Sequence, residues 1–129
     1  TLFNGLSAQG VPYLPQLGAF LRSLVEFTEN HSPLLVEVQR AGMLQSDERL
    51  NLPHFWQYMT VSALLKSAER NGELERGLDL EYLAEALLAP VQVDYFRFQR
   101  HVRGYSVQRI ADGIQAQVGL LGRRANTPR

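Results

Sequence analysis

The chain has no cysteine, which excludes disulfide staples and thiolate metal sites and is compatible with a reducing compartment. It has no excess of either charge: thirteen basic residues balance thirteen acidic ones, so the bulk electrostatic signature of a nucleic-acid binder is missing. No apolar run approaches the roughly 18 residues that span a bilayer, and no signal-peptide pattern is visible. These absences point to a soluble, cytoplasmic protein without membrane contact. The HExxH, GxSxG, GxGxxG and Walker patterns do not occur either.

What is present suits one domain. A length of 129 residues, 45% of them hydrophobic and 20% charged, supports a single real core and argues against disorder. Helix punctuation is frequent and strand signals are nearly absent, so the expected fold class is all-α with five helices. Residues 1–10 look like the tail of a helix (Leu2, Phe3, Leu6) with no cap before it, as if the chain began part-way through a longer protein. A helix from about Pro15 to Asn30 would bury Leu17, Phe20, Leu21, Leu24, Phe27 and Thr28. Ser32 would cap a short helix opened by Pro33 and closed by Gly42. Asn51 and Pro53 open a third helix, to about Asn71, with Gly72 beyond it. Ser106 caps the last, whose stripe is Val107, Ile110, Ala111, Ile114, Val118 and Leu121.

The fourth helix, capped by Asp79 and ended by Gly104, is apolar on two opposite sides. Leu80, Leu83, Ala84, Leu87, Val91, Tyr95, Phe98 and Val102 share one face at 3.6 residues per turn. Tyr82, Ala86, Ala89, Val93 and Phe96 mark the other. A peripheral helix needs one apolar stripe, so the second asks for a further partner, for which a second copy of the chain is the expectation. Pro90 should kink or break this helix, because it removes one hydrogen bond and clashes with the preceding turn.

The third helix carries Phe55, Trp56, Tyr58, Met59 and Val61 in nearly every direction, so its first half is buried all round or lines a pocket; ordinary core is the plainer reading. The histidines His31, His54 and His101 lie in different segments and suit capping or solvent contact better than metal binding. No metal site, cofactor or catalytic dyad is expected. Asp94, at the edge of the apolar stripe, is either a polar anchor or a margin residue leaning to solvent, and Gln92 is a weaker candidate of the same kind. Arg97, Arg100 and Arg103 fit compensation of the helix C-terminal dipole.

The order and content of these helices resemble the C-terminal, ligand-binding and dimerisation region of TetR-family (tetracycline-repressor-like) transcriptional regulators. The segments that carry the likeness are GAFLRSLVEFTENHSPLLVEVQRAG, then NLPHFWQYMTVSALLKSAERNGEL with its closing Arg70-Asn71-Gly72-Glu73-Leu74 turn. LDLEYLAEALLAPVQVDYFRF follows, with Asp79, Ala84, Leu87 and Pro90, and GYSVQRIADGIQAQVGLLGRR closes the set. The resemblance covers nearly the whole chain but not the family's N-terminal DNA-binding portion; residues 1–9 would match the end of the helix that joins it. It implies a regulatory domain over residues 1–129, not an enzyme, with DNA contacted only through that missing portion.

The resemblance also implies a homodimer whose last two long helices form a four-helix bundle, Ala86, Ala89, Val93 and Phe96 facing Ile110, Ile114 and Val118 of the partner. An apolar or amphipathic small-molecule effector would enter among Phe20, Leu24, Phe27, Trp56, Met59 and Tyr95, with Gln92 or Asp94 as polar anchors. A helical protein–protein interaction module without a small-molecule ligand is the alternative, and a small helical enzyme is the weakest reading.

Overall fold

The structure, a computed structural model, describes residues 12–40 and 52–126, the side chains of 39, 52–54 and 123–126 excepted. Among these residues it is all-helical, with five helices: α1 (Tyr13–Arg40), α2 (Leu52–Arg70), α3 (Leu80–Leu88), α4 (Val93–Arg97) and α5 (Val107–Asn126). A 3-10 turn (Ala89–Val91) joins α3 to α4, and a π turn (Phe98–Val102) continues α4. The abrupt start, Gly42 and the 43–50 connection lie outside the described residues.

The 28-residue α1 is the central element, with α2 and α5 packed along it and α4 against its C-terminal half. Its continuous inward stripe is Leu14, Leu17, Leu21, Val25, Thr28 and Ser32, all buried. That stripe corrects the expected boundary at Ser32 and Pro33. The helix runs through Pro33 because the packing surface does not stop there, and the Ser32 hydroxyl accepts from Arg97 at 3.4 Å instead of capping. The core beneath it comes from Val61, Leu65 and Ala68 of α2, Ala84, Leu87 and Leu88 of α3, Phe96 of α4, and Ile110, Ile114 and Val118 of α5.

The turn after α2 is built by three residues with separate tasks. Gly72, at φ +77°, supplies the left-handed residue that ends the helix, with Glu73 N donating to Ala68 O at 2.9 Å and Gly72 N to Glu69 O at 3.1 Å. The Glu73 carboxylate then accepts the backbone N–H groups of Tyr13 and Leu14, both at 2.9 Å, and so caps the start of α1 from 60 residues away. Leu74 is buried in the core. Asp79 caps α3 and Ser106 caps α5, as their positions in the sequence imply.

The break expected at Pro90 is present, and it inverts the two stripes. After the 3-10 turn Gln92 is extended (ψ 139°), which resets the helical phase before α4 begins. Up to Val91 the first stripe points inward. Beyond it Tyr95, Phe98 and Val102 turn outward, at 49%, 44% and 70% exposure, while Phe96 of the second stripe is buried. Gln99, also buried, donates its side-chain amide to Pro90 O at 3.0 Å and ties the second limb to the break.

Candidate functional site

Among the hollows on the described surface, two lie on different parts of the fold and have mainly apolar linings. The first, about 360 Å³, runs along the outward side of α2 and is lined by Trp56, Met59, Thr60, Ala63, Leu64 and Ser67. Its lining is apolar apart from two hydroxyls, and Thr60 already donates to Trp56 O at 2.9 Å. Trp56 is two-thirds exposed and Met59 and Phe55 nearly half, so the first half of α2 is not buried all round among the described residues. The periodicity of this helix is ambiguous because its apolar residues outnumber one stripe; Val61, Leu64, Leu65 and Ala68 take the inward side, Tyr58 packs at the margin of the core, and Phe55 and Trp56 are left outside.

The second hollow, about 330 Å³, lies between the broken α3–α4 limb and α5. Pro90, Tyr95 and Gln99 form one wall, Tyr105 and Arg109 one end, and Gly113 and Gln117 the other wall over Ile110 and Ile114. It exists because α5 packs chiefly on α1 and only lightly on the α3–α4 limb. The α1–α5 seam is held by Arg22, which donates to Gln115 Oε1 and pairs with Asp112, while Gln115 donates back to Gly18 O at 3.2 Å.

The residues expected to hold an effector are therefore not gathered in one place. Trp56 and Met59 share the α2 hollow, whereas Tyr95 lines the other one, stacked on Phe98 with ring centroids 6.1 Å apart. Leu24 is buried in the core and Phe20 half-buried against it. Phe27 is 45% exposed and stacks on His31, whose Nδ1 sits 2.9 Å from Phe27 O. Gln92 turns its amide back onto Leu88 O at 3.2 Å, so it anchors its own helix end. Asp94 is exposed in the first turn of α4. His101 is exposed, and the His54 side chain lies outside the described residues.

The expected dimer residues also divide. Ala86 and Ala89 face outward and Val93 is half-buried. Phe96, Ile110, Ile114 and Val118 are each 4% exposed or less and fill this chain's own core. The outward side of α5 is instead Arg109, Gly113, Ala116, Gln117 and Leu120. Periodicity locates this side opposite the apolar stripe, but Gly, Ala and Gln do not register as a hydrophobic face.

Charge is distributed with a polarity along the broken limb. Burial, and then the charges of Glu81, Glu85 and Asp79, raise the Tyr58 phenol above its ordinary value at the α3 end. At the other end the Arg103 guanidinium donates to the Tyr105 hydroxyl at 3.2 Å and holds that phenol below its ordinary value, while Arg109 lies 4.2 Å over the same ring. Arg100 lies in the last turn of the π segment, as expected, and also pairs with Glu29 at 2.8 Å and donates to Tyr105 O at 2.9 Å. Among the described residues no cluster of three or more His, Asp or Glu could hold a metal ion, and no helix is long and apolar enough to cross a membrane. Compared with known proteins, the chain matches no family model, no curated protein and no solved structure.

Proposed function

We propose that this chain is the effector-sensing and dimerisation part of a TetR-like transcriptional repressor, acting as a binding domain and not as a catalyst. The observation that carries the reading is the division of exposed apolar surface between two separate places, one on α2 and one on the α3–α4–α5 side. A domain that senses a ligand and pairs with its copy needs two such places, and a self-contained core needs neither.

The α2 hollow suits a small apolar or amphipathic effector, with Trp56 and Met59 supplying contact area and the Thr60 and Ser67 hydroxyls fixing orientation. The α3–α4–α5 side suits a homodimer. An effector that binds one arrangement of the dimer better than the other shifts the population by its differential affinity and no more. DNA contact belongs to a portion outside this chain.

The test is a thermal-shift panel of small apolar and amphipathic compounds on the wild-type chain and on Trp56→Ala. Saturable stabilisation of the wild type that is lost in Trp56→Ala, with the oligomeric state unchanged, supports the reading. A panel with no saturable hit points to a helical interaction module instead.

A further inference from the structure

Every fourth residue along α2 from Tyr58, namely Ser62, Lys66 and Arg70, falls on one side of the helix. That side is one wall of a further hollow of about 350 Å³, with Glu81 of α3 opposite. This hollow and the one at Trp56 share a ridge, Met59, Ala63 and Ser67. The ridge is low at Ala63 and Ser67, whose side chains are small, so one molecule can lie across it. We infer that the effector of the α2 hollow is an anionic amphiphile, its apolar body against Trp56, Met59 and Leu64 and its carboxylate across the ridge among Ser62, Lys66 and Arg70. The inference rests on the effector reading of that hollow and adds the chemical class and the place of its charge.

Three polar groups of the second hollow lack the partners such groups ordinarily find. Ser62 is 5% exposed, yet its hydroxyl has no hydrogen-bond partner among the described residues. A buried hydroxyl without a partner destabilises the empty chain, and a ligand oxygen that accepts from it recovers that loss. Lys66 has no ion pair among the described residues, and Arg70 only donates to the Ser67 hydroxyl at 3.3 Å. Two cations against the single carboxylate of Glu81 leave an excess of positive charge beside an apolar trough. That combination matches an apolar body with one negative head and opposes a cationic head. The acids Asp79, Glu81 and Glu85 all act on Tyr58, at the other end of the row, which leaves the Lys66–Arg70 end for the head.

Trp56 is the only tryptophan in the chain, so its fluorescence reports occupancy of the hollow directly. The probes are octanoate, octanol and octylammonium, which share a tail and differ in the charge of the head. Octanoate is expected to give a saturable blue shift and to bind about fivefold or more tighter than either of the others, a preference that shrinks as salt rises. Lys66→Gln and Arg70→Gln should each weaken octanoate several-fold and leave octanol unchanged, whereas Lys66→Arg should keep the preference. Glu81→Gln, which removes the opposing carboxylate, should tighten octanoate. Ser62→Ala should weaken octanoate and yet raise the melting temperature of the empty chain, a pairing that a purely structural serine would not give. Equal or tighter binding of octanol or octylammonium overturns the anionic class and leaves the effector reading standing. So does an octanoate preference that survives loss of both Lys66 and Arg70. No saturable response to any of the three, together with no hit in the wider thermal-shift panel, overturns both.

Discussion

The side-chain amide of Gln99 reaches across the break in the fourth helical segment and donates to the carbonyl oxygen of Pro90 at 3.0 Å. A helix interrupted by proline leaves carbonyls without their usual partners, and a buried one must find another donor. Gln99 supplies it, and its nine-residue separation from Pro90 sets the distance at which the second limb returns. The inverted stripes, the outward Tyr95 and Phe98, and the hollow beside α5 all depend on that return.

Gln99→Leu keeps the volume and removes the donor. It is expected to cost about 1 kcal/mol in urea unfolding, the low end of the penalty for a carbonyl left without a partner, because this one is only part-buried. Gln99→Glu should cost more, because it sets a carboxylate against a carbonyl oxygen. A Gln99→Leu midpoint equal to that of the wild type would show that the limb is held by packing alone.

Glu73 predicts a second loss, at a site distant in sequence from the element it stabilises. Its carboxylate takes the first two N–H groups of α1, and Asn71 steadies it with a 2.7 Å hydrogen bond. Glu73→Ala should cost about 1–2 kcal/mol, in the range of lost N-caps, and Glu73→Gln less, since an amide oxygen still accepts. Hydrogen exchange is the sharper readout: the first turn of α1 should lose protection while α5 keeps its own.

The Glu29–Arg100 pair gives a pH dependence of known sign. The Arg100 hydrogen bond lowers the Glu29 carboxyl below its ordinary value of 4.5, against a smaller opposing effect of burial. A carboxyl depressed in the folded state contributes stability above its unfolded value and loses it as pH falls through the folded one. The gap between wild type and Glu29→Gln should therefore be present at neutral pH and close below about 4.5. With both side chains about a third exposed, that gap is at most ~1 kcal/mol. A gap that widens in acid would show that the pair does not act this way.

Much of this fold is legible from punctuation. Asp79, Ser106, Gly72 and Gly104 mark ends that the structure places within a residue or two, and Pro90 marks the break. The phase beyond the break is not legible, because one extended residue, Gln92, decides which stripe turns inward and no local preference of glutamine announces it. Spacing alone continues Tyr95 and Phe98 along the inner face and leaves Phe96 on the outer one. The site suffered from the same cause. Residue type groups Trp56 with Tyr95, yet it carries no information about which hollow a helix face will line, and the two residues line different ones.

Pro33 sits inside α1, where the sequence around it signals a helix start. Ser-Pro is a sound signal for a helix start, yet the stripe through Val25, Thr28 and Ser32 demands continuous helix, and tertiary packing prevails over the local signal. The proline remains as a weak point, since residue 33 has no N–H to offer the carbonyl four residues earlier. Pro33→Ala restores that bond on an exposed face. Its gain is reduced by the extra freedom alanine gives the unfolded chain, which leaves a net stabilisation of about 1–2 kcal/mol. The clasps that bind α1 to the broken limb, Ser32 to Arg97 and Glu29 to Arg100, lie in the turn just before this point. If the proposed effector response works through bending α1 here, the stabilised variant should also respond less to any compound that shifts the wild type. Equal stability in Pro33→Ala would mean that the helix had already accommodated the proline at no cost.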